Sequence, residues 1–584
     1  MIIRRITFNV TRKERVMKPW MKLMLAIIIS SLFFYSRCVS KGGVMADTVL
    51  INGHIWTVNS QQPEAEALAI VQNRIVSLGK SSEIKKLIGS QTRVIDLKGR
   101  FVLPGFIDTH THFLNGGLAL RSVQLRTCRS REEFTRRIEA KTKELEPGSW
   151  ILNGDWDHEQ FSPPVLPSKK WIDEVTPEHP VCVNRFDGHM VLVNSLAMSL
   201  AGIDKKTVSP PGGEIIKDPQ TGEPTGILKD AAAELVYAKI PELTLAEKKE
   251  AVKAALKEAA VNGVTSIHDM SDASSFEVFQ EFLRSGELTS RLYVYIQIPE
   301  IDVFLRLKIK SGFGHPFLRL AGLKGFVDGS LGSETALFFE PYSDNPKAYG
   351  LLASHMFPEG IMEKRLSQAD QAGLQVAVHA IGDRANAMVL DIMEKIIREN
   401  GLRDRRWRIE HAQHLRKSDI ERFSQLGLIA SVQPYHAIDD GCWAERKIGS
   451  ERARTTYAFN SLLQAGAIPV FGSDWTVAPL SPLKGIYAAV TRKTLDGQNP
   501  EGWIPQEKIT VEEAIKSYTV RAAYAEFSEK EKGSLEPGKL ADLVVLDRNL
   551  LRIEPDEILK TRVLLTMVDG RVIFSAPEFE GYKE

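Results

Sequence analysis

The sequence predicts an α/β protein built on a (β/α)8 TIM barrel, and three observations lead there. Short apolar runs of strand length alternate with helical stretches through the middle of the chain, as in a parallel sheet with crossover helices. Eight such runs can be counted. Side chains able to ligate metal stand at the ends of several of them, where a barrel of this kind carries its active site.

The elements follow in chain order. Arg4, Arg5, Arg12, Lys13, Arg15, Lys18 and Lys22 precede an apolar stretch from Leu23 to Tyr35. That stretch is short of the roughly 20 residues a membrane span needs. A basic head, a short apolar core and small residues after it read as an export signal over 1–46, with Val44-Met45-Ala46 suiting cleavage before Asp47. The alternatives are an uncleaved anchor that attaches the protein to a membrane, or a start at Met17 or Met21. Cys38 lacks a proper lipobox. The expected location is outside the cytoplasm: periplasmic, extracellular or anchored.

Residues 47–103 hold three runs, 48–59, 67–78 and 93–97, that alternate like short antiparallel strands. Residues 533–584 repeat this texture at 540–547, 563–568 and 571–574, with Asp569-Gly570 as a hairpin turn. The two ends are expected to pair into one small β-sandwich. Between them, residues 104–532 form the barrel, with strands at 106–112, 264–269, 292–298, 323–327, 375–379, 408–411, 428–433 and 468–474. Residues from about 120 to 245 do not fit the count. They hold one extra strand at 181–185 and several turn clusters, and read as an insertion after the first strand that covers the barrel mouth.

Composition sets limits on partners. The 584 residues are 43% hydrophobic and 26% charged, an ordinary globular balance. Lys+Arg (75) and Asp+Glu (74) cancel, so no basic field is available for nucleic acid. Cys128, Cys182 and Cys442 lack C-x-x-C spacing, which argues against a zinc knuckle or redox pair. The oligomeric state stays open, with a homodimer as the working expectation.

The chemistry begins with PGFIDTHTH at 104–112. Alternate residues of a strand face one side, so His110 and His112 can grip one ion together. Later strand ends answer them: Lys324 in GLKGFVDGS, His379 in VAVHAIGDRA, His411 in RIEHAQH and Asp474 in VFGSDW. Each interrupts a buried run, where a polar group costs several kcal/mol unless paired or ligated.

This set resembles the metal-dependent amidohydrolase superfamily. More narrowly, DGSLGSETA (328–336), HAIGDRA (379–385), RIEHAQ (408–413), SVQP (431–434) and GSDW (472–475) resemble its amidohydrolase 3 branch, which includes N-substituted formamide deformylases. DGH at 187–189 and NSLA at 194–197 are similar to that branch as well. Two places depart from it: Glu334 stands where many relatives have Arg, and Gly154-Asp155-Trp156-Asp157 replaces a G-W-D motif. Both are expected near the pocket.

The resemblance implies one or two divalent ions, zinc by preference, held by His110, His112, His379, His411 and Asp474. It further implies a carbamylated Lys324 as bridge, since an ammonium has donors only; the competing role for Lys324 is a cation balancing Asp328. Asp474 is the expected general base, moving a proton from water to the leaving nitrogen. His268 and Asp269 are expected to face the mouth, with His189, Arg384, Gln433, His436 and Trp156 as further substrate contacts. Trp156, Phe186, Trp443 and Trp475 point to an apolar or aromatic substituent. The expected reaction is hydrolysis of a non-peptide carbon–nitrogen bond in a small amide. The alternatives are hydrolysis of lactones, esters or phosphoesters, or an inactive binding protein of the same fold.

Overall fold

A computed structural model describes residues 45–579 and 581–582. Its centre is a ring of eight parallel strands: β1 (Phe106–Thr111), β2 (Val264–Ser271), β3 (Arg291–Gln297), β4 (Leu318–Phe326), β5 (Gln375–Ala380), β6 (Arg408–His411), β7 (Ile429–Val432) and β8 (Ile468–Phe471). Each is short and almost wholly buried, as strands covered on both faces must be. The ring closes just past β8, where Asp474 N–H donates to the His110 carbonyl (2.7 Å) and His112 N–H to that of Trp475 (2.9 Å). Gly472 makes this closure possible, because a Cβ there would lie 2.5 Å from the His110 nitrogen.

Helices cover the outside, each burying one stripe. The helix Leu245–Val261 starts on a capping box between Thr244 and Glu247 and buries Val252, Ala255, Leu256 and Ala259. Asp383–Asn400 buries Val389, Leu390, Met393, Ile396 and Ile397 in the same way.

Both ends of the chain build the flanking sheets. Phe101–Pro104 pairs antiparallel with Leu543–Leu546, which joins N- and C-terminal segments in one six-stranded sheet. Its core is shared with a four-stranded sheet through Leu50, Leu68, Ile95, Val545 and Leu565. Two details differ from the sequence reading. The run 48–59 breaks at Asn52, whose φ is +58°, and its halves join different sheets. Thr48–Ile51 also pairs parallel with Arg93–Asp96, where an antiparallel partner was expected.

The insertion holds a five-stranded sheet ordered Gly213–Lys217, Pro224–Asp230, Met190–Val193, Val181–Asn184 and Ile151–Leu152, not one extra strand. At the other end, Met45 and Ala46 belong to the fold. Ala46 is buried, its N–H donates to the Leu87 carbonyl (2.9 Å), and its carbonyl accepts from the Thr92 hydroxyl (2.5 Å). Cleavage before Asp47 would remove those bonds. The rest of the expected export segment, 1–44, lies outside the described residues.

Candidate active site

The C-terminal ends of β1, β4, β5 and β6, with the turn after β8, bring six polar side chains to the floor of one cavity of about 440 Å³. That volume suits a small molecule. From β1, buried His110 directs Nε2 toward Asp474 Oδ1 (3.6 Å) and Lys324 Nζ (3.2 Å). His112, two residues on, sets its Nε2 3.4 Å from the same Asp474 oxygen. His379 and His411 follow on adjacent strands with ring centroids 4.5 Å apart. His411 lies 3.9 Å from Asp474 Oδ2 through Nδ1, and that nitrogen is also 2.8 Å from the Gln433 amide oxygen. His411 (φ +70°) and Asp474 (φ +57°) both hold left-handed backbone, a cost that non-glycine residues bear mostly where function fixes them.

Burial sets the protonation states. It pushes the His110 imidazole down to about 4 and holds His379 and His411 well below the usual histidine range. Neutral imidazole is the form that offers a lone pair. Burial pushes the Asp474 carboxyl up, but the histidines around it outweigh that and keep it ionised. Asp474 Oδ1 is buried without a hydrogen-bond partner among the described residues. A buried, ionised oxygen facing the imidazoles of His110 and His112 fits a cation between them, and the three side chains place their ligating atoms within 4.8 Å of one another.

Lys324 is fully buried, and burial pushes its amine down to about 8. Its neighbours are His110 Nε2 and the face of Phe326 (4.8 Å), with no carboxylate at ion-pair distance among the described residues. Asp328 does not balance it. That carboxylate accepts three backbone N–H groups, from Leu337 (2.8 Å), Ile381 (3.0 Å) and Gly382 (2.8 Å), and so fixes the loops after β4 and β5.

Of the expected substrate contacts, His189 and His436 line the cavity. His189 bonds Asp230 at 2.6 Å; burial opposes its charge, but Asp230 prevails and raises the imidazole to about 9. Gln433 lies beneath the floor and orients His411. Four others are elsewhere. Trp156 is fully buried in the insertion core, its indole N–H donating to the Val183 carbonyl (2.8 Å). His268 points into the barrel, 2.6 Å from Arg408. Asp269 accepts the Phe113 N–H (2.7 Å) and thereby anchors the helix after His112. The Arg384 side chain is exposed and outside the cavity lining. Phe186 and Trp443 do form its wall, whereas Trp475 packs against Phe113. Of the two departures from the branch pattern, Asp155 lines the cavity; Glu334 pairs with Lys447 (2.7 Å) outside it.

Two groups escaped the sequence reading. Glu410 Oε2 lies 2.5 Å from His110 Nδ1, and its other oxygen accepts from Arg408 Nε (2.7 Å). The carboxylate fixes the ring so that Nε2 faces the cavity. The available signal was Arg408-x-Glu410, two charges that strand alternation places on one face of a wholly buried strand. The second group is Asp187, which pairs with Arg185 and accepts from Ser330 (2.5 Å) and Ser333 (3.0 Å), pinning the insertion to the loop after β4.

Comparison with known proteins agrees with this geometry. The model of the amidohydrolase family matches residues 93–574. Protein LONG AFTER FAR-RED 3 of Arabidopsis thaliana is 42% identical, over 91% of this chain and 92% of its own length. The N-substituted formamide deformylase of Arthrobacter pascens is 28% identical, over 90% and 98%. The crystal structure of an uncharacterized metal-dependent hydrolase from Pyrococcus furiosus superposes with a TM-score of 0.68 at 30% identity, covering 86% of this chain and all of that one.

Proposed function

This chain belongs to the amidohydrolase family, and on that premise we propose that it is a metal-dependent hydrolase of a non-peptide carbon–nitrogen bond, with an N-substituted formamide or related small amide as substrate. The observation that carries this reading is the convergence of His110, His112, Lys324, His379, His411 and Asp474 on one cavity floor. An inactive binding protein would be expected to lose such ligands, and this chain keeps every one. The 28% identity to a formamide deformylase supports the choice of bond.

His110, His112 and Asp474 would hold one divalent ion, and His379 and His411 would contribute to a second. Zinc is the preferred ion, and when bound it acidifies water and polarises a carbonyl. Lys324 would supply a further anionic ligand as a carbamate: its neutral Nζ adds to CO2, the N–C bond forms as one C=O π bond opens to C–O⁻, and the released amine proton passes to solvent. Asp474 then takes a proton from the attacking water as the new C–O bond forms. It returns that proton to the nitrogen as the C–N bond breaks. The charged His189, held by Asp230, is placed to donate a hydrogen bond to an acceptor on the substrate. Phe186 and Trp443 favour an apolar or aromatic substituent. We also propose export, with any processing point upstream of Met45.

Metal analysis of the purified protein, joined to a panel of N-formyl amines, lactones and phosphotriesters, tests this reading. Bound zinc and selective amide turnover, abolished by a chelator, are expected. Turnover confined to lactones or phosphotriesters would assign the other hydrolase reading, and full activity in metal-free protein would end the mechanism.

A further inference from the structure

One histidine at the cavity sits outside the expected ligand set. His436 belongs to the helix Pro434–Asp440 that starts directly after β7, and its ring is buried. Its Nε2 has no hydrogen-bond partner among the described residues. A buried imidazole nitrogen left without a protein partner at the cavity is free to meet a ligand there. The ring lies parallel to that of His411, with centroids 6.5 Å apart and planes inclined by 14°. Ligating atoms from His411, His436 and Asp474 fall within 4.8 Å of one another.

Asp474 joins this group to the first. Its Oδ1 faces His110 and His112, while Oδ2 faces His411. We propose that His436 is a metal ligand, and that His411, His436 and Asp474 form an ion position on the far side of Asp474 from His110 and His112. Two imidazoles and a carboxylate suit a first-row divalent transition ion better than magnesium or calcium. Such a position draws its donors from β6, the helix after β7 and the turn after β8. The inference rests on the metal-dependent reading above.

The test uses the full chain, stripped with a chelator and titrated with Co²⁺, following absorption and metal content for wild type, His436→Gln and His436→Cys. Expected are a roughly 10–100-fold or greater loss of affinity for one ion in His436→Gln and a new thiolate-to-cobalt charge-transfer band in His436→Cys. The band decides alone where the Gln variant fails to fold. An unchanged metal affinity in His436→Gln, or a folded His436→Cys protein that binds Co²⁺ without the band, overturns the proposal and leaves His436 as a wall residue. A wild type that binds no metal would overturn the hydrolase reading itself, a different and recognisable failure.

Discussion

Replacing Asp474 by Asn keeps the side chain's shape and one oxygen but removes the group that accepts a proton. Asp474→Asn is expected to retain most metal while kcat falls by roughly 10²–10⁴-fold, the range for a lost general base; metal content and single-substrate kinetics measured together check this. Lys324→Ala removes the bridge instead. Metal loss is expected, with partial recovery of activity when a short carboxylic acid occupies the space the side chain leaves. Full occupancy and activity without added acid would refute the carbamate. At this scale the sequence was legible where chemistry forces a rare residue type into an apolar run, as with His110, His379, His411 and Asp474. It was less so where a polar residue serves another side chain: Glu410 touches His110 across 300 positions of sequence, and no local pattern announces that partner. Trp156 shows the reverse error, since an aromatic beside a motif looks the same whether it faces substrate or core.

Among the elements, the short helix Phe113–Ala119 positions His112, which precedes its first residue. Two glycines let it pack. A Cβ on Gly117 would lie 1.9 Å from the Ala251 carbonyl oxygen, and one on Gly116 would lie 2.3 Å from the Trp475 ring. Backbone cannot yield as a flexible side chain can. Gly117→Ala is therefore expected to destabilise by about 1–3 kcal/mol, as overpacked sites do, and to weaken metal binding through His112 without touching a ligand; denaturant unfolding and chelator competition measure the two effects. Most barrel strands could be read because they are largely apolar runs with a helix before the next one, β6 (Arg408–His411) being the exception. The strands of the insertion could not, apart from Val181–Asn184: Ile151–Leu152 is two residues long and Gly213–Lys217 mixes charges with its apolar positions.

For the whole molecule, Arg291 clasps the barrel to the flanking sheets. It stands at the start of β3, buried, with two bonds to Asp542 (2.7 and 3.0 Å) and one to Asp569 (2.8 Å). Removing one partner of a buried ion pair leaves the other uncompensated, typically at about 3–5 kcal/mol. Arg291→Leu is expected to lower the thermal midpoint by several degrees. Its kcat at low temperature should stay near wild type, because the cavity lies at the opposite ends of the strands; a large loss of kcat in folded protein would show that the clasp reaches the site. The pairing of the two chain ends was foreseeable from matching strand texture, whereas the register of Phe101–Pro104 against Leu543–Leu546 depends on contacts that no short window contains.

The closing of the ring has a consequence for synthesis. Asp108 receives the N–H of His110 (3.1 Å) and, from 365 positions further along, that of Ser473 (2.9 Å). Histidines made early in translation thus wait for a carboxylate made near its end. A nascent chain that has not yet emerged past Trp475 has neither a closed ring nor a complete metal pocket, so ion uptake should be among the last events of maturation. Fragments ending before β8 are expected to bind the ion poorly, however long they are given to fold.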